Sequence, residues 1–288
     1  MKKIMNQITI LMYCADQKGI IAAVTNFIHQ KQGNITYIDQ YVDRPNAAFF
    51  MRVECDFISP NFNFDDFKIS FNQELGSLFS LHCDFYLKGQ KPKMAIFVSK
   101  YDHCLYDILA KQHSGELEAE IPFIISNHPD LEIIAKRFEI PFYHIAVTKE
   151  NKAQAEEEQL AILKKHKVDF IVLARYMQIV STKLIEQYTH KIINIHHSFL
   201  PAFPGAKPYH SAFERGVKII GATSHYVTEE LDAGPIIEQD IARVTHLNSI
   251  ADFIEKGRDL ERIVLLRALK LHCNRKVMVY GNKTVVFS

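Results

Sequence analysis

The chain has 288 residues, enough for about two domains at roughly 150 residues each. Its 34 Lys and Arg against 33 Asp and Glu leave a formal charge of +1. That balance excludes a basic surface built to hold nucleic acid by its phosphates, and equally an acidic solvating tail. The first residues, 1–14, carry a charged start and a short apolar run without a signal-peptide core or a small-residue cleavage site. Residues 7–13 have the β-rich composition of a strand. After the loop CADQKG, Ile20, Val24, Phe27 and Ile28 fall at helical spacing, and Gly33-Asn34 closes that helix. Segments 35–42 and 47–57 are strand-like around a turn at 43–46. A weaker helix spans 61–77, and 78–87 forms a last strand. The order βαββαβ predicts a ferredoxin-like domain over 1–87.

A polar stretch with Gly and Pro at 88–93 predicts a linker, and a second domain follows over 94–288. Short apolar runs at 94–99, 121–126, 141–147, 169–174 and 191–195 read as buried strands. Helical segments near 102–112, 129–138, 151–166 and 181–188 separate them. Such alternation predicts a doubly wound, mostly parallel, Rossmann-like α/β sheet, which binds ligands beyond the carboxyl ends of its strands. A helix near 252–271 and a hairpin over VMVY-GN-KTVVF end the chain. No apolar run approaches the roughly 20 residues that a membrane span needs. Five scattered cysteines without a CxxC pair fit a reduced, cytoplasmic setting.

The densest polar chemistry lies over 194–239. Asn194 and His196 are two apart, so a strand points both to one face. An amide donor beside an imidazole is suited to a carbonyl oxygen that becomes negative in a transition state. Pro201, Pro204 and Gly205 keep the following loop irregular, and Asp232 precedes a Gly-Pro turn that offers a carboxylate to the same cleft. On spacing alone, a polar strand end and an ordinary turn residue account for these positions equally well. The histidines His196, His197, His210 and His225 share the region, but HEXXH spacing is missing, which counts against a zinc hydrolase.

The run N-I-H-H-S-F-L-P (194–201), with H-Y-V (225–227) and L-D-A-G-P-I-I-E-Q (231–239), resembles the folate-dependent formyltransferase fold. That fold is shared by glycinamide ribonucleotide transformylases, methionyl-tRNA formyltransferases and formyltetrahydrofolate deformylases. The resemblance implies that Asn194, His196 and Asp232 are catalytic. It implies that Met177, Ile179 and Val180 of LARYMQIVS (173–181), with Val227, line the pteridine site, and that His225 sits close behind Asp232. The segment after the first strand of this domain, FVSKYDHCLYDIL, lacks the glycine of a phosphate-cradling loop. His197 stands where transformylases usually carry Pro, and Phe199 where the wider fold family more often has Leu. The first domain resembles an ACT domain, and an ACT domain in front of this fold is the arrangement of the deformylases. The implied reaction is hydrolysis of 10-formyltetrahydrofolate to tetrahydrofolate and formate, which feeds purine biosynthesis and balances one-carbon pools. Asp232 would position water and move protons. The folate is substrate, and neither cofactor nor metal is implied. A ribonucleotide formyltransferase is the alternative, and a non-catalytic amino-acid sensor is disfavoured by the intact Asn, His and Asp.

Two points stay open at this stage. Strand alternation turns His197 away from Asn194 and His196, whereas its place beside the pair offers it a role behind the site. The loop from Asp16 to Gly19 opens a helix whose free N–H groups suit a small amino-acid effector, though Asp16 as a plain cap is the simpler expectation. The ACT resemblance also implies a homo-oligomer, with no nucleic-acid or membrane partner.

Overall fold

The computed structural model describes residues 6–59, 62–202 and 208–288. Pro204 and Gly205, and the first five residues, therefore lie outside the described residues. The chain divides into two units. One runs to Gln90 and includes Arg275–Met278 and Val285–Ser288; the other holds Lys91–Asn274 and Val279–Thr284.

The first unit contains β1 (Asn6–Ala15), α1 (Ile20–Gln30), β2 (Asn34–Asp43), β3 (Ala48–Phe57), α2 (Phe64–Phe71), α3 (Ser77–Phe79) and β4 (His82–Leu87). Its sheet has the order β2-β3-β1-β4, antiparallel throughout. Alternate residues Ile8, Ile10, Met12 and Cys14 of β1 face one core with Ile20, Val24, Phe27 and Ile28 of α1. Period 2 meets period 3.6 there, as the sequence pattern requires. Where the sequence predicts one helix over 61–77 and a strand from 78, the helix begins later, after its cap Asn63. The Asn63 side chain accepts from the N–H groups of Asp65 (2.9 Å) and Asp66 (3.3 Å). A π-helical turn, Asn72–Gly76, and α3 then carry Leu75 and Phe79 against the core, so the strand starts at His82.

The expected cap role of Asp16 is not observed. The N-cap of α1 is Gly19, with φ of 96° and no side-chain cap bond. A left-handed residue suits glycine, and it leaves Asp16 exposed, joined to Ala47 O through its own N–H (2.7 Å). A cavity in this unit lies elsewhere, lined by residues such as Lys31, Phe57, Asn63 and Ser70, and contains neither Asp16 nor Gly19.

The second unit contains β5 (Met94–Val98), α4 (His103–His113), β6 (Ile124–Ser126), α5 (Glu132–Arg137), β7 (Phe142–His144), α6 (Lys152–His166), β8 (Phe170–Leu173), α7 (Thr182–Gln187), β9 (Ile192–His196), α8 (Pro208–Arg215), β10 (Ile219–Tyr226), β11 (Ile236–Arg243) and α9 (Ile250–Cys273). Its seven strands run β11-β10-β9-β8-β5-β6-β7. The five from β9 to β7 are parallel, and β10 is antiparallel to both its neighbours. The strand β6 starts later than the sequence predicts, after Pro122, which has no N–H for a ladder, whereas β7 ends at His144 and lacks the predicted residues 145–147. A capping box between Ser249 and Asp252 starts α9. Among the described residues no helix is long and apolar enough to cross a membrane.

The terminal hairpin, β12 (Val277–Tyr280) and β13 (Lys283–Val286), forms where the sequence predicts it. Its outer residues, however, group with the first unit, so the second domain does not keep all of 94–288. Arg52 Nε donates to Arg275 O (2.9 Å), and Tyr37 Oη donates to Ser288 O (2.7 Å). The Arg275 guanidinium also lies over the Tyr86 ring at 4.1 Å.

Candidate active site

The order of the parallel strands reverses between β5 and β8, so ligands belong beyond the carboxyl ends there. Register brings the relevant ends to one edge. Phe97 pairs with Leu173, Leu173 with Asn194, and antiparallel β10 sets His225 opposite Asn194 and Thr223 opposite His196. A cavity of about 260 Å³ opens at that edge. Asn194, His196, His197, His225, Val227 and Asp232 line it, as do Met177, Ile179 and Val180. The structure thus gathers every catalytic and folate-site residue expected from the sequence. Asp16 and Gly19 belong to the first unit.

His196 is 6% exposed, and its Nδ1 lies 3.3 Å from Asp232 Oδ2. The other carboxylate oxygen is 3.7 Å from His225 Nε2, an ion-pair distance. Burial works to raise the Asp232 carboxyl, but the two imidazoles outweigh it and hold the group well below the ordinary carboxylate range. His225 Nδ1 is 2.9 Å from Tyr226 O, which can only accept, so that nitrogen carries a proton. Nε2 lies between Asn194 Nδ2 at 3.2 Å and the Asp232 carboxylate: it accepts from the amide when the ring is neutral and donates to the carboxylate when the ring is protonated. The neutral ring thereby holds the Asn194 amide in place. His196 Nε2 is buried without a hydrogen-bond partner. A buried imidazole nitrogen in that condition, on a ring that lines a cavity, is a place for a ligand atom.

Asp232 has φ of 56°, a left-handed conformation that Asp tolerates better than most residues. The turn is fixed on both sides: Tyr226 N–H donates to Pro235 O (2.9 Å), and Asn282 Nδ2 donates to Ala233 O (2.9 Å). Gly234 is required, since a Cβ there would fall 1.8 Å from Tyr226 O, a backbone atom. Gly234→Ala is expected to cost about 3 kcal/mol, the top of the usual overpacking range, measured by urea unfolding. An unchanged midpoint would mean that this turn can shift.

The segment expected to bind folate is held from the end of β5. Ser99 Oγ donates to Asn127 Oδ1 (2.6 Å) and accepts from Met177 N–H (2.9 Å). Met177, Ile179 and Leu231 are exposed by 47%, 62% and 63% at the cavity, apolar surface that a ring system would cover. His197 is not simply turned away. The strand ends at His196, so alternation stops; His197 touches the cavity while its ring packs edge-on against Tyr209, centroids 5.6 Å apart.

Sequence reasoning missed Arg175 and Leu231 in the lining, and Tyr209 and Glu261 behind it. Glu261 had a signal: it sits among Leu260, Val264, Leu265 and Ala268, at apolar spacing on α9. A carboxylate in a core stripe needs partners.

Residues 92–269 match the family model described as formyl transferase, and residues 8–61 match the ACT domain model. The formyltetrahydrofolate deformylase of Synechocystis sp. is 51% identical over 287 residues, 97% of this chain and 98% of that protein. The crystal structure of a formyltetrahydrofolate deformylase from Pseudomonas syringae pv. tomato superposes with a TM-score of 0.96 at 44% identity, covering 98% of this chain and 95% of that one. A glycinamide ribonucleotide transformylase from Symbiobacterium toebii reaches a TM-score of 0.65 at 26% identity, covering 70% of this chain and 97% of its own.

Proposed function

This chain belongs to the formyltetrahydrofolate deformylase family and hydrolyses 10-formyltetrahydrofolate, and we propose that Asn194, His196 and Asp232 carry the reaction. The observation behind that assignment is the unpartnered His196 Nε2, buried on a cavity that Asn194 and Asp232 also line. Water attacks the formyl carbon and gives up a proton to His196 Nε2, the bond from that carbon to N10 breaks, and N10 takes that proton from His196 as formate leaves. Asn194 commits one amide hydrogen to His225 and offers the other to the formyl oxygen. His196 Nε2 takes up and returns the proton, while Asp232, 3.3 Å from its Nδ1, orients the ring and balances it when it is protonated. A carboxyl held well below the usual range is a weak base. Proton transfer is therefore assigned to His196, and Asp232 is given the work of orienting the ring and the water. Met177, Ile179, Val180 and Val227 cover the pteridine.

The ribonucleotide formyltransferase alternative is not favoured, since those neighbours cover less of the chain at lower identity. The finer assignments follow the same reading: a cytoplasmic homo-oligomer whose formate supplies purine biosynthesis, with a small amino acid bound at the ACT domain near Asp16 and Gly19. No cofactor is needed for this chemistry. The direct test follows formate from 10-formyltetrahydrofolate with and without glycinamide ribonucleotide. Formate release independent of the ribonucleotide is expected. Formyl transfer to the ribonucleotide, with formate at background, would replace this assignment by the transferase.

A further inference from the structure

Behind the catalytic cavity the second unit holds a buried carboxylate with three partners. Glu261 of α9 is 1% exposed. His103 Nε2 lies 2.8 Å from its Oε2, Tyr209 Oη donates to its Oε1 at 2.7 Å, and Arg175 Nε is 3.4 Å from Oε2. Burial opposes ionisation, but His103 and Arg175 outweigh it and keep the carboxyl below its usual value. The Arg175 guanidinium rests over the Tyr101 ring at 4.9 Å. Tyr209 presses against α9 so closely that a Cβ on Gly257 would fall 2.1 Å from its ring. His103, Cys104 and Glu261 place ligand atoms within 4.8 Å of one another, yet the Arg175 cation already balances the carboxylate and disfavours a metal ion there.

The position of this cluster matters more than its stability. Arg175 lines the catalytic cavity, and His197, packed on Tyr209, lines it too. His103 lines a different hollow of about 400 Å³, with Arg258 and Arg262. Glu261 joins Arg175, by an ion pair, to His103, by a hydrogen bond, so one layer of paired side chains stands between the residues lining the two spaces.

We propose that the layer His103–Glu261–Arg175, braced by Tyr101 and Tyr209, is the wall that confines the acceptor of the formyl group to water. The inference rests on the deformylase reading of the cavity. An amine acceptor has to bring its nitrogen to the formyl carbon from a space larger than one water molecule, and the wall closes the second hollow off from that carbon. Were the wall open, a primary amine would attack the formyl carbon, the bond to N10 would break, and N10 would take the proton that the amine loses. These residues act by occlusion and need not touch the folate.

The test uses the full chain with 10-formyltetrahydrofolate and glycinamide, a small primary amine, quantifying formate and N-formylglycinamide together. His103→Ala opens the wall from the hollow and leaves Glu261 two partners. Tyr101→Ala frees Arg175 from a residue that is 40% exposed, so it tests the same idea should the first variant not fold. The wild-type chain is expected to give formate alone. Either variant is expected to raise the ratio of N-formylglycinamide to formate at least tenfold. A purely structural role would lower both products together and leave the ratio untouched. An unchanged ratio in a folded variant, a folded variant that makes neither product, or ready formylation by the wild type would each overturn the proposal. Absence of formate from the wild type would overturn the deformylase reading itself.

Discussion

Replacing Asp232 by Asn is expected to lower turnover at least a hundredfold, with the fold retained. General acid–base help is typically worth about 10²–10⁴ in rate, and in this site it depends on an imidazole that Asp232 orients. The carboxylate lies 3.3 Å from His196 Nδ1, so the neutral amide removes the charge that balances a protonated ring while keeping shape and volume. The loss should fall on kcat more than on KM, because the cavity residues proposed to cover the pteridine, Met177, Ile179, Val180 and Val227, are untouched. Steady-state formate release measures both constants, and near-normal turnover would remove Asp232 from the mechanism. The same substitution has a pH signature in stability. The folded carboxyl sits well below the usual range, so its stabilising contribution is fully present above the unfolded value of about 3.9 and fades as pH falls below it. The stability gap between wild type and Asp232→Asn should thus shrink as pH falls below about 4. Urea midpoints across that range read it, and a gap undiminished at about pH 3 would remove the Asp232 charge from the stability balance.

Asn194 and His196 were legible because two local regularities coincide: a strand of period 2 and a run of residue types matched to a developing negative oxygen. Asp232 was legible as the residue before a Gly-Pro turn. Their convergence was legible from the family resemblance and not from spacing, because it depends on the register of β10, which runs antiparallel and sets His225 opposite Asn194. A pattern read along one strand carries no information on the direction of its neighbour. The edge strand β11 reads IIEQDIAR, half-exposed and without clean alternation, and the sequence did not single it out. Glu261 shows a different limit. Its helix was visible, but the three partners come from positions 103, 175 and 209, so only the folded chain shows why a carboxylate is tolerated in that stripe. The terminal hairpin was seen as a hairpin, whereas its grouping with the first unit rests on contacts such as Arg52 with Arg275, made across most of the chain.

Asn194→Ala is the second large loss, expected at about 10²–10³ in kcat, the scale on which one oxyanion donor acts. The argument turns on how the amide is held. His225 Nδ1 donates to Tyr226 O, so whenever the ring is neutral Nε2 accepts from Asn194 and one Asn194 amide hydrogen remains for substrate. That donor is preset before substrate arrives and needs no reorganisation as charge develops, which is why its removal should weigh on the transition state more than on folate binding. His225→Phe would keep the ring's bulk but release the amide, so a smaller fall of the same kind is expected. If Asn194 acts only by packing, Asn194→Leu should retain turnover; if it donates to the oxyanion, the Leu and Ala variants should be equally poor. Measured kcat values for the three variants, each checked for a native unfolding midpoint, separate the two accounts.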